Sequence, residues 1–416
     1  MALDGFAAAG RPLRVALCSG NYNYTVDGAN RTLNRLVRHL EAVEGATVRV
    51  YSPTSPTPAF RAAGELVSVP SIRIPFRSDY RFALGLPAAR SREIAAFAPD
   101  VIHLSSPDLL SQGALRLARR LGVPVVASVH TLFGSYLDYY GLAWLRPPLE
   151  RRLRAFYRGC DFVLAPTPAL AEELEADGLE GRVRVWSRGV DRDLFDPSRR
   201  SRAWRAHHGF DDRPVVLFFG RLVKEKGLAV FADAVDRLER RGLRPQVLVV
   251  GDGPARGCFQ ERLPGAVFTG FLSGEAMATA VASADILLNP SATEAFGNVT
   301  LEAMASGLAP ICADTPSSRT LVRDGATGLI CEARDVDGFA GAVERLLAEP
   351  GLLRALGRAA REQSLDRDWG AILSGVAAVY REAIALRQAE PGGAAARRPH
   401  PRFDRLVVRP HSVQPL

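Results

Sequence analysis

Of the 53 lysines and arginines in the 416-residue chain only two are lysine, Lys224 and Lys226, and both fall in one loop, Gly220-Arg221-Leu222-Val223-Lys224-Glu225-Lys226-Gly227. Such a bias is that of a GC-rich genome exchanging lysine for arginine. A lysine kept against it is kept as a compact ammonium, which a planar guanidinium does not imitate. The loop follows an apolar run, Val215 to Phe219, and precedes a helical pattern, Leu228 to Leu238. A strand, a glycine-bearing turn and a helix N-terminus make an anion site, and Arg221 with Lys226 makes it one suited to a diphosphate. Two lysines surviving by chance on an exposed turn is the other reading of the loop alone.

A second group is Glu294-Ala295-Phe296-Gly297-Asn298-Val299-Thr300-Leu301-Glu302. Its two carboxylates flank a glycine turn and the start of a helix that continues through Leu301, Ala303 and Met304. Carboxylates accept from sugar hydroxyls, and the N–H groups of Asn298 and Val299, free at a helix start, donate to a phosphate. An ordinary helix with a glutamate near its dipole gives the same pattern. The neighbouring loop Pro290 to Thr293 and the Gly220 loop favour the ligand-binding reading.

These groups need elements to carry them. Leu13 to Cys18, Thr47 to Tyr51, Val101 to Leu104, Val123 to Val129 and Phe162 to Ala165 read as strands, with a helix face at Thr32, Leu33, Leu36, Val37 and Leu40. The pattern restarts with Val215 to Phe219, Gln246 to Val250, Val267 to Thr269, Ile286 to Asn289 and Leu308 to Cys312. Mostly apolar strands alternating with helices predict parallel sheets covered on both faces. The expected architecture is α/β, two Rossmann-like halves facing each other across a cleft at their strand C-terminal edges. The expected divisions are an N-terminal domain over 12–190, a linker over 191–212, a second domain over 213–369, a helix over 370–388 crossing back to the first domain, and a disordered tail over 389–416.

The net charge of +8 and the pI of 9.6 call for anionic partners. Five scattered cysteines fit reduced thiols in a cytoplasmic protein. No apolar run reaches membrane-spanning length and the start has no basic leader, so neither a spanning helix nor a signal peptide is expected. Arginines and aromatics cluster at Arg73, Phe76, Arg77, Tyr80, Arg81 and Phe82, and at Arg146, Arg151, Arg152, Arg154, Phe156 and Arg158. A solvated arginine-rich face is the slightly favoured reading of each cluster alone, and an anionic membrane surface is the other. No nucleic-acid motif accompanies the charge.

Weaker signals complete the reading. Gly28, after Asp27, and Gly251 and Gly253, after the strand ending at Val250, offer close backbone approach to a ligand or simple turns. His130 ends a buried strand where the cleft should lie, and His103 ends another. The stretch Phe133 to Tyr140, with Tyr136 and Tyr139, lines an acceptor site or packs as an ordinary helix. Gly189 in Trp186 to Asp191 is placed as a hinge. Three Asp-x-Asp tripeptides, Asp191 to Asp193, Asp335 to Asp337 and Asp366 to Asp368, read as caps rather than as metal ligands.

Together the Gly220 loop and the E-x7-E segment Glu294 to Glu302 resemble the retaining nucleotide-sugar glycosyltransferases of GT-B fold, glycosyltransferase family 4, over roughly Leu13 to Gln388. The pattern is most similar to GDP-mannose-dependent α-mannosyltransferases and sulfolipid synthases. Only one glycine, Gly28, stands where the family often has two. The resemblance implies Arg221 and Lys226 on the donor diphosphate, Glu302 on the ribose, and Glu294 and His130 at the donor sugar. It also implies Gly28, Gly220, Gly251, Gly253, Phe296, Gly297, Asn298 and Val299 around the donor, and Asp27, Tyr136 and Tyr139 toward the acceptor. The implied activity is metal-independent transfer of a hexose, with retention, to a glycolipid or polysaccharide-precursor hydroxyl, without a cofactor. GDP-mannose is the first expected donor, and UDP-glucose, UDP-glucuronate or UDP-sulfoquinovose the second. An epimerase or hydrolase of UDP-sugars and a non-enzymatic nucleotide-sugar sensor are the rival readings. The expected location is the cytoplasm, peripheral at the inner membrane face.

Overall fold

The computed structural model describes residues 11–25, 27–74, 77–131, 141 and 143–389, with backbone only at 74, 77–79 and 143. In chain order the first half runs β1 (Arg14–Cys18), β2 (Thr47–Ser52), β3 (Glu65–Ser68), β4 (Ser71–Ile74), β5 (Arg77–Ala83), β6 (Val101–Leu104), β7 (Val125–Ser128), β8 (Phe162–Ala165) and β9 (Val183–Val185). Seven of these form one parallel sheet in the order β3-β2-β1-β6-β7-β8-β9, and β4 and β5 pair antiparallel as a separate ribbon. The second half runs β10 (Val215–Phe219), β11 (Gln246–Val250), β12 (Val267–Gly270), β13 (Ile286–Asn289), β14 (Ala309–Ala313) and β15 (Leu329–Cys331). They form a parallel sheet in the order β12-β11-β10-β13-β14-β15. Both are Rossmann-like, with the strand order turning between β1 and β6 and between β10 and β13. The crevice outside the strand C-termini at such a turn is where open sheets bind ligands.

The apolar runs explain the sheets. Every residue of β6, β7, β8 and β13 is buried, as strands covered on both faces must be. The elements missing from the sequence-based expectation are β3, β4, β5, β9 and β15. β3 has no buried residue, Ile72 and Phe82 of the ribbon are exposed, and β9 and β15 have three residues each. None carries an apolar period to read.

The segment expected as a free linker is instead packed on the second domain. Phe195 and Phe210 enter its core beside Val215 and Leu217. Buried Arg205, on the helix Arg202–His207, donates to the carbonyls of Ser283 (2.8 Å) and Arg213 (2.7 Å) and pairs with Asp285 (3.1 Å). Most of its other polar residues are exposed, so the segment is polar because it runs over the surface, anchored there by Phe195, Arg205 and Phe210.

The closing helix, Trp369–Ala389, returns to the first domain. Its Leu373, Val376, Ala377, Tyr380 and Ala383 share a core with Val15, Leu17, Leu33 and Trp186. Arg381 pairs with Glu44, Glu382 with Arg184 (2.6 Å) and Arg387 with Asp161 (2.6 Å). This helix is long and apolar enough, at mean hydropathy 1.2, to meet a membrane-span criterion, although Arg381 and Glu382 interrupt its apolar run. Its buried apolar residues pack into the first domain's core, while Ala371, Ala378 and Leu386 are exposed. The cysteines are free thiols, with only Cys258 exposed.

Candidate functional site

The Gly220 loop is built on close backbone packing. Gly220 donates to Val250 O (3.0 Å), Leu222 N to Asp252 O (2.9 Å) and Ala255 N to Leu222 O (3.1 Å). A Cβ on Gly251 would lie 1.8 Å from Gly220 O, and one on Gly253 would lie 2.4 Å from Leu222 O. These two glycines therefore admit the neighbouring loop, which corrects the expectation that they make room for a nucleotide. Gly220 differs: its backbone is left-handed at φ 147°, and the nearest atom to its Cβ position is Val299 Cγ1 at 3.9 Å. A side chain there would sit in ordinary contact with Val299, without a clash.

A 3₁₀ turn over Lys224–Lys226, ended by Gly227 at φ 73°, aims Lys226 across to the second motif. Its Nζ lies 2.7 Å from Glu294 Oε1, with the side chains 25% and 12% exposed. The hydroxyls of Ser291 (3.4 Å) and Thr293 (3.1 Å) donate to Glu225 O and fasten the two loops together. The helix Asn298–Ala305 begins after Gly297, in the left-handed region at φ 98°, with no side-chain cap. Its first N–H groups and the positive end of its dipole therefore stand ready for an anion beside Lys226. Phe296, expected to line the site, is buried in the core with Leu301, Met304 and Leu321. An aromatic side chain there gains more from burial than from a polar ligand.

The first domain faces this edge. The helix Gly28–Ala42 is capped by Asp27, whose carboxylate accepts from Asn30 N (2.8 Å) and from Asn21 Nδ2 (3.1 Å). Burial raises the Asp27 pKa, opposed by those hydrogen bonds and by the charge of Arg221. Both carboxylate oxygens thus already serve the fold, and an acceptor contact would have to share them. A Cβ on Gly28 would lie 2.4 Å from Asn298 Nδ2. The bare α-carbon leaves room for the Asn298 side chain of the opposite domain. Arg31 and Arg35 of the same helix face Glu302: burial raises the Glu302 pKa from 4.5 to about 7, the two arginines oppose this, and Asp191 adds to it. Arg35 also pairs with Asp191 (3.2 Å). On the ribbon, Tyr80 Oη accepts from Arg221 Nη1 (2.9 Å), and the guanidinium carbon lies 5.3 Å from the phenol ring centre.

His130 belongs to a hydrogen-bonded chain. Arg188 Nη2 meets its Nδ1 (3.0 Å), its Nε2 meets Ser128 Oγ (2.8 Å), Ser128 Oγ meets His103 Nε2 (2.8 Å), and His103 Nδ1 meets Tyr380 Oη (2.6 Å). Arginine only donates, so Nδ1 of His130 is bare and its proton sits on Nε2. Ser128 Oγ then accepts from His130, and its own proton is available to His103 Nε2, an arrangement in which His103 Nδ1 donates to Tyr380. Burial, the Arg188 charge and His103 hold the His130 pKa well below 6.5, and burial lowers that of His103 to about 3. Burial also brings Arg188 down to about 9. Both ring nitrogens of His130, the residue expected at the donor sugar, are engaged by the protein. A contact would require one partner to let go.

Tertiary structure thus gathers Arg221, Lys226, Glu294, Asn298, Val299, Gly220 and Glu302 with Gly28 and Asp27. Tyr136 and Tyr139 lie outside the described residues, as do Phe76 and the tail. Sequence reading missed Tyr80, Arg31, Arg35 and Arg188. Arg31 and Arg35 carried a signal, a cation pair at helical spacing just after the Gly28 turn. Gly189 packs against Trp369 and Arg367 O, at 2.8 and 2.9 Å from its Cβ position, so its smallness serves contact with the returning chain. The Asp-x-Asp tripeptides act in caps and ion pairs: Asp335 caps the helix Val336–Ala348, Asp337 pairs with Arg237, Asp191 accepts from Leu194 N, and Asp368 accepts from Ala371 N.

A family model described as Glycosyltransferase Family 4 matches residues 26–194, and one described as Glycosyl transferases group 1 matches residues 213–349. The chain is 36% identical to a GDP-mannose-dependent alpha-mannosyltransferase of Mycolicibacterium smegmatis, with 90% of this chain and 99% of that one covered. It is 31% identical to sulfoquinovosyl transferase SQD2 of Arabidopsis thaliana, with 87% and 72% covered. Among solved structures, sucrose-phosphate synthase from Thermosynechococcus elongatus is similar with a TM-score of 0.74 at 22% identity, covering 90% of this chain and 100% of that one. Alr3699/HepE of Anabaena, in complex with UDP and glucose, is similar with a TM-score of 0.70 at 19% identity, covering 89% and 100%.

Proposed function

The chain belongs to glycosyltransferase family 4, the two-domain nucleotide-sugar transferases, and from that premise we propose that it moves mannose from GDP-mannose, with retention, to a hydroxyl of a glycolipid or polysaccharide precursor. The observation that carries the reading is the Lys226–Glu294 pair, at 2.7 Å, beside the uncapped start of the helix Asn298–Ala305. It sets an ammonium and helix N–H groups for a diphosphate next to a carboxylate for sugar hydroxyls. GDP-mannose is preferred because the relative from Mycolicibacterium, 36% identical along nearly its whole length, carries that donor in its name.

In the proposed step the acceptor oxygen bonds to the anomeric carbon as the carbon–oxygen bond to the diphosphate breaks, and the acceptor proton passes to the departing phosphate oxygen. Lys226, Arg221 and the helix N-terminus stabilise the charge that grows there, and being held in place beforehand they need little reorganisation. Glu302 accepts from the ribose. Protein cations take the part a metal would play, so activity should survive a chelator. The similarity to the sulfoquinovosyl transferase of Arabidopsis keeps a UDP-sugar as second donor. Trp144, 72% exposed, lies just before the helix Arg146–Tyr157, on which Arg146, Arg151 and Arg152 are exposed. An aromatic among arginines suits docking at an anionic bilayer, which fits a lipid acceptor and a peripheral cytoplasmic location.

The test is a thermal-shift panel of GDP-mannose, UDP-glucose, UDP-glucuronate and UDP-galactose on the native protein and on Glu302→Ala. Binding to the native state raises apparent stability by mass action. A shift with GDP-mannose, lost in the variant, is expected. A shift with a UDP-sugar alone would overturn the donor, and none with any of the four would overturn the assignment.

A further inference from the structure

Arg221 meets a residue of the opposite domain. Tyr80 lies on β5, in the antiparallel ribbon that leaves the first domain between β3 and the helix Ala88–Phe97. The ribbon is fastened at its root. Arg81 N donates to Tyr24 Oη (3.2 Å), Tyr24 Oη donates to Gly20 O (2.9 Å), and Arg81 Nε donates to Ser71 Oγ (3.0 Å). Tyr24 thereby ties the residue next to Tyr80 to the loop that follows β1, the same loop that leads to Asp27 and Gly28. From this support Tyr80 both accepts a hydrogen bond from Arg221 at 2.9 Å and lays its ring 5.3 Å from the guanidinium carbon.

We propose that Tyr80 is a positioning residue that orients Arg221 toward the departing diphosphate only when the two domains are closed. This rests on the reading that Arg221 acts on that diphosphate. A long arginine on a loop samples many rotamers, and fixing it costs entropy at the moment it is needed. A phenol that holds both one N–H and the guanidinium face removes that freedom in advance. A guanidinium carries five N–H donors, so a phenol on one of them is compatible with a phosphate on another edge. Because the phenol comes from the acceptor-side domain, opening the cleft withdraws it. Leaving-group stabilisation is then weakest when the donor is exposed to water and complete when the acceptor-side domain has closed, which limits wasteful hydrolysis.

The experiment measures nucleotide release from GDP-mannose and from UDP-glucose, and GDP and UDP binding by calorimetry. It compares wild type, Tyr80→Phe, Tyr80→Ala, Arg221→Ala and the Tyr80→Ala/Arg221→Ala double variant. Expected for Tyr80→Ala is a fall in kcat of about 30-fold with the nucleotide Kd changed less than about threefold. Tyr80→Phe, which keeps the ring, should lose about threefold to fivefold. In the Arg221→Ala background Tyr80→Ala should cost less than about twofold more, because both changes remove one device. Equal losses with and without Arg221, or a raised KM at unchanged kcat, would overturn the role. Unchanged turnover in Arg221→Ala, or no release from either donor, would sink the diphosphate reading itself, and the Tyr80 role with it.

Discussion

Glu302→Gln removes the charge of one carboxylate and keeps its shape. Burial raises that group from 4.5 to about 7 against the pull of Arg31 and Arg35. An ionised carboxylate accepts from both hydroxyls of a ribose, whereas the neutral acid spends one oxygen as a donor. If only the ionised form binds, the apparent dissociation constant scales as one plus ten to the power pKa minus pH. The donor should therefore bind about tenfold more tightly at pH 8 than at pH 6. An intact nucleotide sugar is the right probe, because its diphosphate has no ionisation in that window, unlike GDP. The sign for stability follows from the same shift. The folded carboxyl keeps its proton to a higher pH than the unfolded chain does. Its contribution is whole below about pH 4.5 and is lost as pH rises through about 7, a cost of about 3 kcal/mol at pH 8. Glutamine avoids that cost, so the ligand-free variant should melt above wild type at pH 8 and level with it at pH 4. Calorimetry at pH 6, 7 and 8 with parallel thermal melts tests both halves. A flat affinity profile, or the same slope in Glu302→Gln, would refute the placement of this carboxylate at the ribose.

Gly251→Ala drives a Cβ to 1.8 Å from Gly220 O at a backbone φ of 146°. Chemical denaturation should register a loss of about 3 kcal/mol or more, while Gly220→Ala, whose Cβ would meet only Val299 Cγ1 at 3.9 Å, should cost about 1–2 kcal/mol. Equal losses would mean that the glycines answer only to dihedral strain. Lys226→Ala removes the ammonium beside Glu294 and should lower kcat about 100- to 1000-fold with a much smaller effect on nucleotide affinity; Lys226→Arg should recover little of it, and full recovery in steady-state assays would show that any cation suffices. Proton NMR should find neither His103 nor His130 titrating between pH 5.5 and 8, since His103 is held to about 3 and His130 well below 6.5. Ser128→Ala should destabilise by about 2 kcal/mol, because two buried imidazole nitrogens lose their shared partner; an unchanged denaturation midpoint would discount the chain.

Composition and spacing were enough for the two parallel sheets. Val215 to Phe219, Gln246 to Val250 and Ile286 to Asn289 are strands at the expected residues, because a strand buried on both faces must be apolar along its whole length. The lysine scarcity singled out Lys226, and the Glu294 to Glu302 spacing marked a helix start, since both signals are local. What the side chains touch was decided only by packing. Gly251 and Gly253 look alike whether a ligand or a loop fills the space above them, and the fold put Gly220 O and Leu222 O there. Tyr80 reads as one aromatic in a basic stretch, yet its partner Arg221 is 141 residues away. The chain from Arg188 to Tyr380 joins two strands, an interdomain crossing and the closing helix, and no periodicity within an element reports on such a meeting. Sequence pattern reflects which face of an element avoids water. Which faces then meet, and which polar groups are left to each other, depends on the closure of two domains.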